Sequence, residues 1–96
     1  FYKVLQVHQA QQVTSAEVQE LERAAQQGDA AAQCNLGVRY QQGRGVAQDI
    51  NKAVEYYEQA AQQGVAAAQC NLGLLYAQGH GVAQDVNKAV EYYEQA

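Results

Sequence analysis

Few residues of this chain could carry reaction chemistry, and most of those recur at a fixed step. Cys34 and Cys70 are its two thiols, His8 and His80 its two imidazoles, Thr14 its one threonine and Ser15 its one serine. Two aligned thiols could hold a soft metal, but no third or fourth ligand accompanies them. A nucleophile also needs a base and a group to orient that base, and no such set can be built here. Thr14 and Ser15 stand at a helix start, where capping explains them. Asp49 and Asp85 are helix caps before they are acids, and Tyr56-Tyr57 and Tyr92-Tyr93 are packing aromatics before they are stacking platforms. His8 is better explained by a helix face or a loop than by ligation. Gly43-Arg44-Gly45 is spaced like a phosphate loop, but neither the preceding strand nor the Lys-Ser/Thr of such a loop is present. The expectation is a protein that is not an enzyme and needs no cofactor or metal.

The elements that must position these residues follow from one internal likeness. Gly28–Ala60 and Gly64–Ala96 are nearly the same sequence, offset by 36 residues. They differ only at Asp29/Val65, Val38/Leu74, Arg39/Leu75, Gln41/Ala77, Arg44/His80 and Ile50/Val86. A fixed period of this size marks stacked supersecondary units, each burying its apolar face on its neighbours.

Composition narrows the class further. Ala and Gln abound while Pro, Trp and Met are absent, which favours helix. A net charge of −4 without a basic stripe argues against nucleic acid as a partner. No apolar run is long enough to span a membrane, and no signal peptide is evident. The chain opens without Met and stops at Ala96, short of the Ala61-Gln62-Gln63-Gly64 that closes the preceding unit. It is therefore expected to be a fragment of a longer protein, its compartment unknown.

Taken in order, Phe1, Val4, Leu5 and His8 share a helical face, although Tyr2 and Val4 would also suit a strand. Thr14-Ser15-Ala16-Glu17 fits a capping box with Thr14 as N-cap. A helix Ala16–Gln27 then places Val18, Leu21, Ala24 and Ala25 where Val54, Tyr57, Ala60 and Ala61 fall one period later. It reads as a degenerate second helix or a cap. Gly28 stops it and Asp29 caps a helix A over Ala30–Gln42, with Ala32, Gln33, Leu36 and Tyr40 buried. Gly37 in mid-helix costs up to about 1 kcal/mol against Ala, so a second backbone is expected to cross there; Gly73 repeats it. Gly43-Arg44-Gly45-Val46 turns the chain, and Val46 plugs the space between the two helices. Asp49 caps helix B, Ile50–Gln62, which buries Ala53, Tyr56, Tyr57, Ala60 and Ala61. The second unit repeats these structural devices at Leu72, Gly73, Tyr76, Gly79, Gly81, Asp85, Ala89 and Tyr93. Val65 replaces the Asp29 cap.

These residues resemble the Sel1-like repeat, a helical relative of the tetratricopeptide repeat. The pattern runs Ala-x-Ala-Gln-x-x-Leu-Gly-x-x-Tyr, then paired glycines, Asp, Lys-Ala, Tyr-Tyr and Ala-Ala. Tyr56 and Tyr92 stand where Trp is common, and Ala47 and Ala83 where Pro is. The resemblance implies an all-α solenoid, a right-handed superhelix of antiparallel helix pairs whose A helices line a concave side. The domains expected are an extension and degenerate repeat over 1–27, repeat 1 over 28–63 and a truncated repeat 2 over 64–96. The implied partner-binding positions are Ala31, Cys34, Val38, Gln41 and Gln42, then Ala67, Cys70, Leu74, Ala77 and Gln78. Arg39, Arg44, Leu75 and His80 form the rim. Four of the six differences between units fall on that stripe or rim, while Glu55/Glu91, Glu58/Glu94 and Gln59/Gln95 on the outer face are unchanged. Adjacent A helices lie about 8–10 Å apart, and a disulfide needs Cα atoms within about 7 Å, so Cys34 and Cys70 are expected to be free thiols. That state is consistent with a reducing compartment. The function implied is a protein-interaction scaffold for a protein or peptide partner. One alternative is self-association through an uncovered C-terminal edge at Tyr92 or Tyr93. Another is a hydrolase like some cysteine-rich relatives, whose paired cysteines within each repeat are absent here.

Overall fold

The computed structural model describes residues 14–79 and 82–96. The helix-or-strand reading of Phe1–Val13, with His8, and the roles expected of His80 and Gly81 lie outside the described residues. Five α-helices follow one another: α1 Ala16–Gln26, α2 Ala30–Gln42, α3 Ile50–Gln62, α4 Ala66–Gln78 and α5 Val86–Gln95. Each packs on the next, giving an elongated body of 51 × 28 × 13 Å. With no strand among the described residues, this is the all-α solenoid that the 36-residue period requires.

Sequence punctuation sets the boundaries. The carboxylates of Asp29, Asp49 and Asp85 accept from the amides of Ala32, Lys52 and Lys88 at 3.1, 3.1 and 3.0 Å. Val65 offers α4 no such bond and instead packs half-buried against the core. Gly43 and Gly79 end α2 and α4 at φ 70° and 67°, left-handed positions that a Cβ disfavours. At the first helix the expected cap is displaced by one residue. Ser15, not Thr14, is the N-cap, and its Oγ accepts from the Val18 amide at 3.2 Å. The Ser15 amide donates to the Gly45 carbonyl at 2.8 Å, so the turn after α2 pins the start of α1 and decides which hydroxyl caps.

A continuous core links the units. Leu36, Leu72, Ala53, Tyr57 and Ala89 are buried in it, with Tyr40 and Tyr76 nearly so. Val54 also belongs to it. The same bonds join α1 to α2 as join α3 to α4. Asp29 and Val65 amides donate to the carbonyls of Ala24 and Ala60. Gln33 and Gln69 Nε2 donate to the carbonyls of Ala25 and Ala61 at 3.2 and 3.1 Å. α1 is thus the structural counterpart of α3. Gln33 Oε1 accepts in turn from Gln63 Nε2 at 2.8 Å, whereas Gln69 Oε1 is buried with no partner among the described residues.

The mid-helix glycines admit a ring rather than a backbone. A Cβ on Gly37 would collide with the ring of Tyr57, and one on Gly73 would lie 2.9 Å from that of Tyr93. Behind each of these, a second aromatic layer forms. Tyr40 stacks on Tyr56 at 5.7 Å and Tyr76 on Tyr92 at 5.8 Å, with Lys52 and Lys88 over the outer faces of Tyr40 and Tyr76. The cation completes each stack through the ring quadrupole.

Two predictions come from this packing. Tyr57 is 1% exposed and cannot move, whereas Tyr93 is 44% exposed. Gly37→Ala should therefore lose about 1–3 kcal/mol of stability through overpacking. Gly73→Ala should be close to neutral, because the ring can swing out and Ala favours helix by about 1 kcal/mol. Urea titrations of the two variants would show the difference. Burial, then the Glu22 carboxylate, pushes the Tyr40 phenol up to about 12. Burial, then Cys34, does the same for Tyr57, opposed by an Asn71 hydrogen bond. Between the ordinary value of 10 and about 12 the folded chain holds more protons than the unfolded one. Stability from these phenols is therefore full below pH 10 and falls as pH rises toward 12. An alkaline unfolding transition followed by circular dichroism checks this.

Candidate functional site

The partner-binding positions divide by exposure, and the division follows the stacking. On α2, Ala31 and Gln42 are exposed and Val38 is half-buried. On α4, Ala67, Cys70, Leu74 and Gln78 are exposed and Ala77 is half-buried. Leu74 is 43% exposed, a large apolar side chain left in water on a helix whose Leu72 and Leu75 are covered.

Two of the expected positions do not belong to the open stripe as drawn. Cys34 is buried, which raises its thiol pKa, whereas its counterpart Cys70 is exposed. The Cys34 thiol lies near the buried Tyr57 of α3. Gln41 is half-buried, and its Oε1 accepts the Tyr57 hydroxyl at 2.6 Å. Only its amide nitrogen remains to donate to a partner. At the equivalent place Ala77 gives Tyr93 no such acceptor.

The rim is corrected more strongly. Leu75 is 1% exposed and belongs to the core, not to an edge. Its counterpart Arg39 explains why: Arg39 Nη2 reaches back to Glu17 Oε2 on α1 at 2.8 Å. One period later Glu17 becomes Ala53, itself fully buried. Position 39/75 therefore faces the preceding helix in both units, through an ion pair in one and an apolar contact in the other. Arg44 is exposed and donates weakly to Gln42 Oε1 at 3.4 Å, as a loop-tip residue would.

The structure adds two residues that periodicity did not select. Asn35 is exposed and lines a groove of about 690 Å³ between α1 and α2, with Leu21, Ala24, Ala31, Val38 and Arg39 around it and Glu17, Glu20 and Arg44 at its edges. Asn71, its counterpart, is half-buried and acts to lower the phenol pKa of Tyr57. On α2 the exposed positions thus run 31-35-42, with Val38 half-buried beside them, rather than through Cys34; on α4 they run 67-70-74-78, with Asn71 half-buried. Both spacings are helical, so periodicity alone could not separate them. The available clue was that Asn35 and Asn71 are polar side chains held between core positions in both units.

Among the described residues no group of three or more His, Cys, Asp or Glu is placed to hold a metal ion. No helix described is long and apolar enough to cross a membrane.

Comparison with known proteins agrees with this architecture. The chain is similar to the crystal structure of a Sel1 repeat protein from Oxalobacter formigenes at 37% identity and a TM-score of 0.80, over 82% of this chain and 32% of that one. It is also similar to c5321, a protective antigen present in uropathogenic Escherichia coli strains that displays an SLR fold. There the identity is 43% and the TM-score 0.76, over 78% of this chain and 16% of that one. The chain therefore spans about a third and a sixth of the lengths of these relatives. No curated protein matches it. The Sel1 repeat model matches residues 21–29, 30–65 and 66–96. With α1 bonded as a second helix and two repeat matches behind it, the chain belongs to the Sel1 repeat family.

Proposed function

We propose that this chain is a protein-binding module, and that its partner lies along the open stripe of α2 and α4. Sel1 repeats are typically protein-interaction repeats, and the finer assignment to this stripe rests on one observation. The side chains that differ between two otherwise near-identical units include the pair Val38 and Leu74 on this stripe, while the buried pairs Leu36/Leu72, Tyr40/Tyr76 and Ala53/Ala89 are unchanged. Leu74 is the strongest single contact the stripe offers. Burying its exposed part against a partner would contribute on the order of 1 kcal/mol from apolar area alone. Asn35, Gln42 and Gln78 carry amides that can donate to and accept from a partner's main chain, the pairing an extended segment requires.

Peptide selection from a displayed library, followed by fluorescence anisotropy with the selected peptides, tests this reading. Leu74→Asp should weaken binding by about tenfold or more, since it puts a carboxylate where an apolar contact formed. Glu91→Gln, on the outward face of α5, should leave affinity within about twofold, the effect of a remote surface charge. Peptides that bind Leu74→Asp as tightly as the parent would place the partner elsewhere. Leu75→Asp is not a fair probe, because it would bury a charge in the core.

A further inference from the structure

We propose, resting on the stripe reading just given, that Gln41 is a specificity-determining donor at the edge of that stripe, held by Tyr57 so that its amide nitrogen meets a main-chain carbonyl of an extended partner segment. The bond that holds it is already made inside the first unit. The Tyr57 hydroxyl donates to Gln41 Oε1 at 2.6 Å, and Tyr57 itself is buried with its ring packed over Gly37. The main chain of the same residue is held separately, because the Gln41 carbonyl accepts from Gln48 Nε2 at 2.8 Å. Backbone and side chain are thus both pinned before any partner arrives. A donor ordered in advance loses little freedom on binding.

The amide nitrogen is the part left over. Among the described residues, Gln69 Oε1 is the one buried side-chain nitrogen or oxygen without a partner. Gln41 Nε2 has no partner there either, so it is open to solvent rather than buried. With its oxygen engaged, this amide presents donors to whatever lies on the stripe. Asn71 of α4 supports that orientation over the reverse one. It favours the ionised form of the Tyr57 phenol, as a donor to the phenol oxygen does, and so leaves the hydroxyl hydrogen for Gln41.

The second unit repeats the backbone clamp but not the donor. Gln84 Nε2 donates to the Ala77 carbonyl at 2.9 Å, and Ala77 has no amide to offer. Leu74, one turn away, is 43% exposed instead. The two units therefore ask for different things, an acceptor over α2 and an apolar side chain over α4, and together they set the register of the bound segment. An extended segment has carbonyls to give. A helical one spends its carbonyls on its own backbone.

Peptides selected on the parent chain and measured by fluorescence anisotropy test this. Gln41→Glu still accepts from the Tyr57 hydroxyl, but it turns an oxygen toward the partner's carbonyl. It should weaken binding about tenfold or more while its urea midpoint stays that of the parent. Tyr57→Phe keeps the ring and frees the amide. It should weaken binding about threefold in the parent and not at all beside Gln41→Glu, whereas a merely structural role would weaken both alike. Peptides with single backbone esters, whose carbonyls are poorer acceptors, should show one position that weakens binding to the parent about fivefold and to Gln41→Glu not at all. Unchanged or tighter binding by Gln41→Glu overturns the inference, and so does an equal loss from Tyr57→Phe in both backgrounds. A peptide that depends on Gln41 but on no backbone ester also overturns it, since its acceptor is then a side chain. Should Gln41→Glu fail to fold, Tyr57→Phe decides alone: a threefold loss upholds the inference and an unchanged affinity sinks it. If Leu74→Asp weakens binding and Gln41→Glu does not, the stripe stands and only this inference falls. If neither matters, both fall.

Discussion

The structure depends on a single steric match, a tyrosine ring laid where a helix has no Cβ. Tyr57 lies over Gly37 and gives its hydroxyl to Gln41. One side chain thereby fixes the approach of α3 to α2. Helices this short are marginal alone, so the order of the chain comes from contacts of this kind rather than from local propensity. The same residues read differently where the following layer is missing from the described chain. Tyr93 repeats the chemistry of Tyr57 but not its burial, and Cys70 that of Cys34.

That contrast explains what could be read from residue types alone. Helix limits were legible because Asp29, Asp49, Asp85, Gly43 and Gly79 state them chemically, and α2 and α3 begin and end where those residues predict. The inside of each hairpin was legible because Leu36, Tyr40, Ala53 and Tyr57 keep a helical step. The cap of α1 was not, since Thr14 and Ser15 are equally suited and a carbonyl from Gly45 selects between them. Leu75 was misplaced for a related reason. Its counterpart is an arginine, and an arginine suggests water until its partner on a neighbouring helix is known.

For the binding surface, the difficulty was one of rotation about a helix axis. Residues 34 and 35 are a hundred degrees apart on a helix, and both lie near the boundary between covered and open. Whether a neighbour's flank reaches one or the other depends on how successive pairs are offset. Periodicity says nothing of that offset. The pattern of difference between the two units pointed to the open side without resolving its edge.

Gln33 has a consequence for how such a chain can be divided. Its amide nitrogen holds the end of the helix before it, and its amide oxygen is held by Gln63 at the end of the helix after it. Three consecutive helices are stitched by one side chain, so a cut at either hairpin boundary severs a buried bond. The smallest piece that keeps its polar groups satisfied is thus a triplet with the second-type helices outermost, not the hairpin that the period defines. Modules of this kind would be lengthened or shortened most safely by exchanging whole periods inside an array, leaving every glutamine with a neighbour on both sides.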